Sequence, residues 1–385
     1  MDLNFSAEET RLREELRGLL AEILPETWAG LWYEHNGRAV VDHAVSELAE
    51  RGWLTYHWPP KFGGKGGSAW EQAVIQEELF AHHEPRGGQY MGVNWIGPMI
   101  MEFGTEAQKA ELLPEIGKGL VQWAQLYSEP GAGSDLAHLS TRAILDGDHF
   151  VINGEKVWTS YADTATRGFL LARTDPLQKG HRGISAMLVP MNLPGITVRE
   201  IPSAIGWHRL HSVSFTDVRV PRDGLLGELH GGWAVAMASL PFERLGNARY
   251  ARCTRILGLI EREIKRRGLD PAHDRALADC LAMGRMSELV NYSAIAANIH
   301  GEDISWRSSA AFALNATYER AVAALAEEVL GLEMYPANPD PQAVAGGEIE
   351  SLAIRQAPTV TVQAGTYQIQ LSVIARSALN FPRAR

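Results

Sequence analysis

The chain has 385 residues, of which 45% are hydrophobic and 21% charged, and its formal charge is -10. This composition is typical of a globular protein with two or three domains. The acidic balance disfavours nonspecific binding to nucleic acid or to an anionic membrane, since either requires a basic face. The acidic start lacks the pattern of a secretory signal, and no apolar run reaches the ~18 residues of a membrane span. We therefore expect a cytoplasmic protein whose partners include neither nucleic acid nor membrane.

Residues 1–120 predict a helical domain. Ser6 and Glu9 form a capping-box pattern at the start of an amphipathic stretch. Its leucines recur at helical spacing and mark one face: Leu12, Leu16, Leu19 and Leu20. Two further stretches, 70–84 and 105–116, have the same helical character. The first third of the chain is therefore expected to pack helix against helix.

Residues 121–230 predict a β domain, either a barrel or a sandwich. Asp146-Gly147 and Asn153-Gly154 are turn signals between short alternating runs, which is typical of hairpins. Four more segments have strand character: 167–173, 183–191, 195–201 and 212–220.

Residues 231–385 predict a four-helix bundle, because long periodic stretches return. These stretches are 249–267, 274–290 and 316–331. The fold class is therefore α+β, with helices, then strands, then helices. Cys253 and Cys280 lack the spacing of a zinc site and are expected to be buried thiols. The histidines of "HRLH" (208–211) have no third ligand nearby, so no metal site is expected.

The segment "YSEPGAGSD" (127–135) is the first candidate for ligand binding. Gly131 and Gly133 permit close approach of a ligand to the backbone, and the Ser134 hydroxyl is able to donate to phosphate. A dinucleotide fingerprint requires a third glycine where the chain has Leu136. The pattern alone therefore favours a plain glycine turn over a phosphate site.

The segment "VWTSYAD" (157–163) places an aromatic side chain beside short hydroxyls at the end of a predicted strand. Such a set suits a flat heteroaromatic ligand. A half-buried strand end explains the same residues equally well, so both interpretations stay open.

The segment "MASLPFERLGNARYA" (237–251) contains a carboxylate with no evident partner. The residues three and four places from Glu243 on a helix are Ser239, Leu240, Gly246 and Asn247. None is a cation, so Glu243 lacks the helical ion pair that a surface carboxylate often has.

Four motifs in order resemble the acyl-CoA dehydrogenase family over nearly the whole chain. They are "YSEPGAGSD", "NGEKVWTS", "FTDVRVP" followed by "GGW", and the closing "AGTYQIQLSVIAR". The resemblance implies a helical domain, a middle β domain and a C-terminal helical bundle. It also implies an oxidoreductase with FAD as cofactor, which converts an acyl-CoA thioester to the 2-enoyl-CoA.

The resemblance assigns roles to residues that the patterns left open. Those implied to bind FAD are Tyr127, Ser128, Gly133, Ser134, Trp158, Thr159, Ser160, Thr366 and Gln368. Those implied to bind substrate are Ser134, Arg244 and Gly365. Ser160 would donate to the flavin N5, where a donor stabilises the negative charge of the reduced ring.

The proton acceptor of this family often lies in a C-terminal Tyr-Glu-Gly-Thr loop. The matching segment here is "VQAGT" (362–366), with Ala364 at the glutamate position. The isovaleryl-CoA and long-chain branches carry the base in a Glu-Arg-Leu context on a helix, and "PFERL" (241–245) matches it. The resemblance therefore makes Glu243 the catalytic base, with a pKa raised by apolar surroundings. A glutamate merely hydrogen-bonded into the bundle is the structural alternative.

The assembly motifs depart from the family pattern. An Arg-x-x-Phe-Gly segment and a Gly-Gly-Asn-Gly segment usually complete a neighbour's FAD site. Here those regions are 265–274 and 328–339, where Arg266 or Arg267 is the available substitute. This resembles actinobacterial dehydrogenases that pair with a sibling subunit in steroid side-chain breakdown. The implied partners are acyl-CoA, an electron-transfer flavoprotein and further subunits, in a homodimer, a homotetramer or a heterotetramer.

Two other functions remain open on the sequence. Ala364 and the altered assembly motifs are consistent with a catalytically silent subunit that shapes a partner's site. A flavin monooxygenase on the same fold would need no base for an α-proton. Glu243 counts against both.

Overall fold

The computed structural model describes residues 5–30, 37–203, 205–206, 210–245, 248–268, 271–338 and 340–382. Its N-terminal part contains six helices: α1 (Ala7–Ile23), α2 (Gly37–Glu50), α3 (Ala69–Ala81), α4 (Gln89–Met91), α5 (Gly97–Phe103) and α6 (Glu106–Gly117). A π-helical turn, Gly92–Ile96, joins α4 to α5. The predicted capping box is confirmed, since the Glu9 amide donates to Ser6 Oγ and the Ser6 amide donates to the Glu9 carboxylate. The four leucines of α1 are all buried.

The middle part contains eight strands: β1 (Trp123–Leu126), β2 (Arg142–Asp146), β3 (His149–Ser160), β4 (Arg167–Arg173), β5 (Ile184–Pro190), β6 (Ile196–Ile201), β7 (Leu210–Pro221) and β8 (Leu225–Leu226). Their order is β6-β7-β3-β2-β4-β5-β8, with β1 paired parallel to β4. β2 and β4 share a single residue pair, Arg142 with Arg173. The two halves of the sheet meet at this pair and enclose one apolar core, as in a sandwich.

β4 is buried on both faces. Leu170 and Ala172 belong to the core inside the sheet, whereas Phe169 and Leu171 belong to the core of the N-terminal helices. A strand covered on both sides is a continuous apolar run rather than an alternating one, which explains the sequence "GFLLA". This strand therefore joins the sheet to the helical part.

One of the two predicted turns is wrong. Asp146-Gly147 does turn between β2 and β3, with Gly147 at a φ of 64°. Asn153-Gly154 lies inside β3, where the pairing with β7 shifts register. A Cβ atom on Gly154 would lie 2.7 Å from the Cα atom of Thr141. Glycine is required there by the close approach of two backbones, not by a reversal of the chain.

The C-terminal part contains α7 (Gly232–Leu245), α8 (Arg249–Arg267), α9 (Pro271–Ile299), α10 (Ser305–Leu330), α11 (Glu348–Glu350) and α12 (Tyr367–Ser377). α10 packs against α8, α9 and α12, which confirms the predicted bundle. Cys253 and Cys280 are buried free thiols, as expected. Among the helices described, none is long and apolar enough to cross a membrane.

Candidate active site

Glu243 lies near the end of α7, two residues after Pro241. Its side chain is half-buried, and its Oε2 atom lies 3.5 Å from the amide nitrogen of Gln125 on β1. Burial raises the pKa of Glu243, while Gln125 and the charge of Arg244 act in the opposite direction. A carboxyl with a raised pKa is suited to accept a proton near neutral pH.

Arg244 points away from Glu243 into the bundle. It is buried, and its Nη1 atom donates to Ser309 Oγ at 3.2 Å, while its Nε atom has no partner. Burial lowers the pKa of Arg244 despite the nearby charge of Glu243. Its hydrogen bond is therefore with α10.

Two tyrosines lie within electrostatic range of Glu243. Tyr90 and Tyr127 are close enough for its charge to act on them, and burial raises the pKa of both phenols, so both are neutral. The Tyr127 hydroxyl lies 3.2 Å from Ser239 Oγ. Because the Ser239 hydroxyl donates to the carbonyl of Ala236, Tyr127 is the donor in this pair. The end of β1 is thereby joined to α7, the helix of Glu243.

The loop around Ala364 has left-handed backbone at two successive positions. The φ angles of Ala364 and Gly365 are 47° and 83°, and the Gln370 amide donates to both of their carbonyls. Thr366 caps α12 by accepting from Ile369, and Gln368 is exposed in the first turn. The methyl side chain of Ala364 cannot accept a proton.

Arg249 ties this loop to α8. Its guanidinium donates to Gln363 Oε1 at 2.6 Å and lies 3.5 Å from the buried carboxylate of Glu319. The charges of Arg249 and Glu243 both act on Tyr90. Glu243 and the arginine that holds the 364 loop therefore both act on Tyr90, although they lie on different helices.

The segment 127–135 is open where a ligand would approach it. Cβ atoms built on Gly131 and Gly133 would meet nothing within 4 Å, and Ser134 is exposed. Ser128 is half-buried, and its carbonyl accepts from the Val157 amide at 2.9 Å. This contact places the segment beside the end of β3.

A buried ion pair fixes that arrangement. Lys156 Nζ lies 2.8 Å from Glu129 Oε1 and also donates to the carbonyl of Tyr127. Glu129 accepts further hydrogen bonds from Ser140 and from the Thr141 amide. Burial acts to raise the pKa of Glu129, but Lys156 and these hydrogen bonds outweigh it and bring that pKa to about 2. Glu129 therefore holds the glycine segment against β3.

The end of β3 carries the residues expected beside the flavin. Trp158 is 61% exposed with a φ of 59°, at an irregularity in the pairing with β7. Thr159 is buried, and its hydroxyl has no hydrogen-bond partner. Ser160 is half-buried at the last position of the strand. The structure thus brings an exposed aromatic ring and short hydroxyls together next to the glycine segment.

Two other predicted candidates do not face this region. Arg266 and Arg267, in the last turn of α8, pair with Glu263, and Arg267 also lies 2.6 Å from Glu333. The two altered assembly segments therefore contact each other through an ion pair.

Of the two histidines in "HRLH", the structure describes His211. His208 lies outside the described residues. His211 is buried, and its ring nitrogens face the Thr159 carbonyl and Asp163. His211 is thus held within the sheet domain.

Sequence reasoning missed Gln125, Tyr90 and Trp95. Gln125 had a usable signal, because a polar side chain inside the buried run "WAQL" requires a partner. Tyr90 precedes a π-helical turn that residue periodicity does not reveal, and Trp95 lies within that turn. Tyr90 feels the charge of Glu243, and Trp95 is connected to Glu243 through Gln125.

Comparison with known proteins identifies this architecture. Residues 6–119, 124–218 and 230–379 match the models of the acyl-CoA dehydrogenase N-terminal, middle and C-terminal domains, respectively. The chain belongs to the acyl-CoA dehydrogenase family. It is therefore an oxidoreductase, and the cofactor of this flavoprotein family is FAD, as predicted.

Several relatives are similar over their whole length. The acyl-CoA dehydrogenase FadE26 of Mycobacterium tuberculosis is 30% identical, with all of both chains covered. A chain of the Tcur3481-Tcur3483 steroid acyl-CoA dehydrogenase is 33% identical with a TM-score of 0.90, and again both chains are covered completely. A chain of the ChsE4-ChsE5 complex from Mycobacterium tuberculosis is 30% identical with a TM-score of 0.88 over both full lengths.

The residues at the expected FAD groove fit that cofactor. The buried Thr159 hydroxyl lacks a partner, the ring of Trp158 is exposed, and space is open beside Gly131 and Gly133. A flat ring system needs an aromatic wall and hydrogen-bonding groups, and a diphosphate needs accessible backbone amides. These residues offer each of those features.

Proposed function

We propose that this chain catalyses the FAD-dependent α,β-dehydrogenation of an acyl-CoA thioester, with Glu243 as the general base. The observation that carries the proposal is the half-buried carboxyl of Glu243, with a raised pKa, in a chain whose alternative base position is Ala364. The Glu243 carboxylate takes the α-proton, and the electron pair of that C–H bond enters the new double bond. FAD, when bound, accepts the β-hydride.

The same proposal assigns the remaining contacts. Residues proposed to hold FAD are Tyr127, Ser128, Gly133, Ser134, Trp158, Thr159, Ser160, Thr366 and Gln368. Those proposed to hold the thioester are Ser134, Arg244 and Gly365. The exposure of Ser134 and the unpartnered Thr159 hydroxyl support this assignment. The three matched family domains support division of the chain at about residues 120 and 230.

The test removes the base without removing the side chain's volume. We expect Glu243→Gln to lower the rate of flavin bleaching by an acyl-CoA by ~10²–10⁴, because general-base catalysis contributes about that factor. FAD content is expected to equal that of the wild type. Glu14→Gln, which makes the same change at an exposed site on α1, serves as the matched control. Wild-type turnover in Glu243→Gln would remove Glu243 from the mechanism.

We also propose that this chain pairs with a sibling subunit and passes electrons to an electron-transfer flavoprotein. The Arg267–Glu333 ion pair supports the first part, because it engages the arginine that would otherwise be available to a neighbour's diphosphate. The similarity to chains of the Tcur3481-Tcur3483 dehydrogenase and of the ChsE4-ChsE5 complex supports it further. A silent subunit remains the second candidate, because Ala364 removes one of the family's two base positions.

A further inference from the structure

Two side chains connect the π-helical turn to the carboxyl of Glu243. Trp95 Nε1 donates to Gln125 Oε1 at 2.8 Å, and Gln125 Nε2 lies 3.5 Å from Glu243 Oε2. An indole nitrogen can only donate, so it must face the oxygen of the amide. The amide NH₂ of Gln125 is therefore directed toward Glu243. In a flipped amide, Gln125 Oε1 would face the carboxylate, and two acceptors would lie next to each other.

Both partners of this contact are held firmly. Gln125 pairs in parallel register with Phe169, so its backbone position is set by the sheet. Trp95 is buried in the π-helical turn and packs edge-on against Tyr90, with 5.2 Å between ring centroids. A Cβ atom on Gly97, just after this turn, would lie 2.3 Å from the ring of Trp58. The turn therefore packs closely against its surroundings.

The titratable groups that act on Glu243 or feel its charge include Arg244 on its own helix, Tyr90 on α4 and Tyr127 after β1. Both tyrosines are neutral, and Arg244 donates to Ser309. The amide of Gln125 approaches the carboxyl from outside α7, on a strand of the sheet.

We propose that Trp95 and Gln125 are positioning residues that orient Glu243 and keep it in its proton-accepting form. The inference rests on the proposed role of Glu243 as base. A donor beside Oε2 restricts rotation of the carboxyl group. It also limits how far burial suppresses ionisation of the carboxyl. The contact of 3.5 Å is long, as catalytic hydrogen bonds often are before substrate binds.

Three variants of the FAD-bound protein, with its sibling subunit where that is needed for FAD, test the inference. Gln125→Met removes the amide at similar length, and Trp95→Phe removes the donor that orients it. Trp58→Phe is the matched control, because Trp58 is equally buried and its Nε1 donates to the Val93 carbonyl of the same π-helical turn. Infrared difference spectra recorded across pH give the midpoint of the Glu243 carboxyl, which is assigned by its loss in Glu243→Gln.

We expect that midpoint to rise by about 0.5–1 pH unit in Gln125→Met and Trp95→Phe, and to stay constant in Trp58→Phe. The apparent pKa of the acid limb, in a plot of bleaching rate against pH, should rise by the same amount. Unmoved midpoints in both variants, or an equal rise in Trp58→Phe, would overturn the inference. Full bleaching by Glu243→Gln would instead overturn the proposed base, and the infrared midpoints would still decide whether Gln125 acts on Glu243.

Discussion

Ala364 has a φ of 47°, in a region that residues other than glycine enter at a cost of about 1–2 kcal/mol. The hydrogen bonds from Gln370 to the carbonyls of Ala364 and Gly365 hold the loop in this form. A longer side chain would keep the same backbone, since the strain arises at Cβ. The position is therefore able to display a different side chain without rebuilding the loop.

Ala364→Glu in a Glu243→Ala background is expected to restore part of the flavin bleaching. The charge of Glu243 acts on Tyr90, and so does that of Arg249, which donates to Gln363 in the loop. A displacement of about an ångström costs ~100-fold in rate, so rescue should be incomplete. Single-turnover bleaching measures it, with Ala364→Gln in the same background as the control. Equal rates for the Glu and Gln variants would refute a shared site.

At the scale of single residues, the sequence revealed those that differ chemically from their neighbours. Glu243 was identifiable because a charged residue lay among small and apolar ones, and the structure does place it half-buried with a raised pKa. Gln125 and Trp95 were not identified, because their roles depend on which helix and strand meet in space. The catalytic role of Glu243 and the roles of the proposed FAD and substrate residues stay predictions.

Among the elements, several strands and parts of the long helices followed from periodicity, although α9 and α10 begin earlier than the patterns 274–290 and 316–331 indicated. β4 and α8 have the bounds that their sequence patterns indicated. The π-helical turn and the bulged course of β3 did not follow, because each arises from close packing against another segment. Gly154 illustrates this, since its neighbour Thr141 is distant in sequence.

The contact between the glycine segment and β3 depends on Lys156 and Glu129. Lys156→Met is expected to destabilise the fold by about 3–5 kcal/mol, because it leaves a buried carboxylate without its cation. Urea unfolding at pH 7 measures the decrease in the free energy of unfolding. Glu155→Gln, at the exposed neighbouring position, is the control and should change stability by less than about 0.5 kcal/mol.

The pH dependence of that loss has a definite sign. The pKa of Glu129 is about 2 in the folded chain and 4.5 ordinarily. Its ionisation therefore stabilises the fold fully above about pH 4.5, and this contribution disappears as the pH falls toward 2. The difference in the free energy of unfolding between wild type and Lys156→Met should become smaller over the same pH interval. A difference independent of pH would assign the loss to packing of the lysine chain instead.

At the scale of the whole molecule, the open question is which chain completes the FAD site. Arg266 and Arg267 pair with Glu263 and Glu333 on their own chain. A buried diphosphate requires cationic or amide partners. If this chain cannot lend an arginine to its copy, a homo-oligomer should hold FAD weakly.

We expect the protein expressed alone to carry clearly less than one FAD per chain. Co-expression with a sibling that has the intact arginine segment should give an α2β2 complex with fewer flavins than subunits. Flavin absorbance per chain and the mass of the native complex measure both. One tightly held FAD per subunit in a stable homotetramer would contradict the prediction. In that event Arg266→Ala and Arg267→Ala would show which arginine had taken over the contact.

The two-sided burial of β4 also determines where the chain can be cut. The core of the N-terminal helices includes Phe169 and Leu171 from β4 and Val235 from α7, so all three matched regions contribute to it. A fragment that ends near residue 120 would lose one wall of its own interior. The boundaries near residues 120 and 230 are therefore places where the chain changes from helix to strand and back. We expect fragments cut at these places not to persist alone.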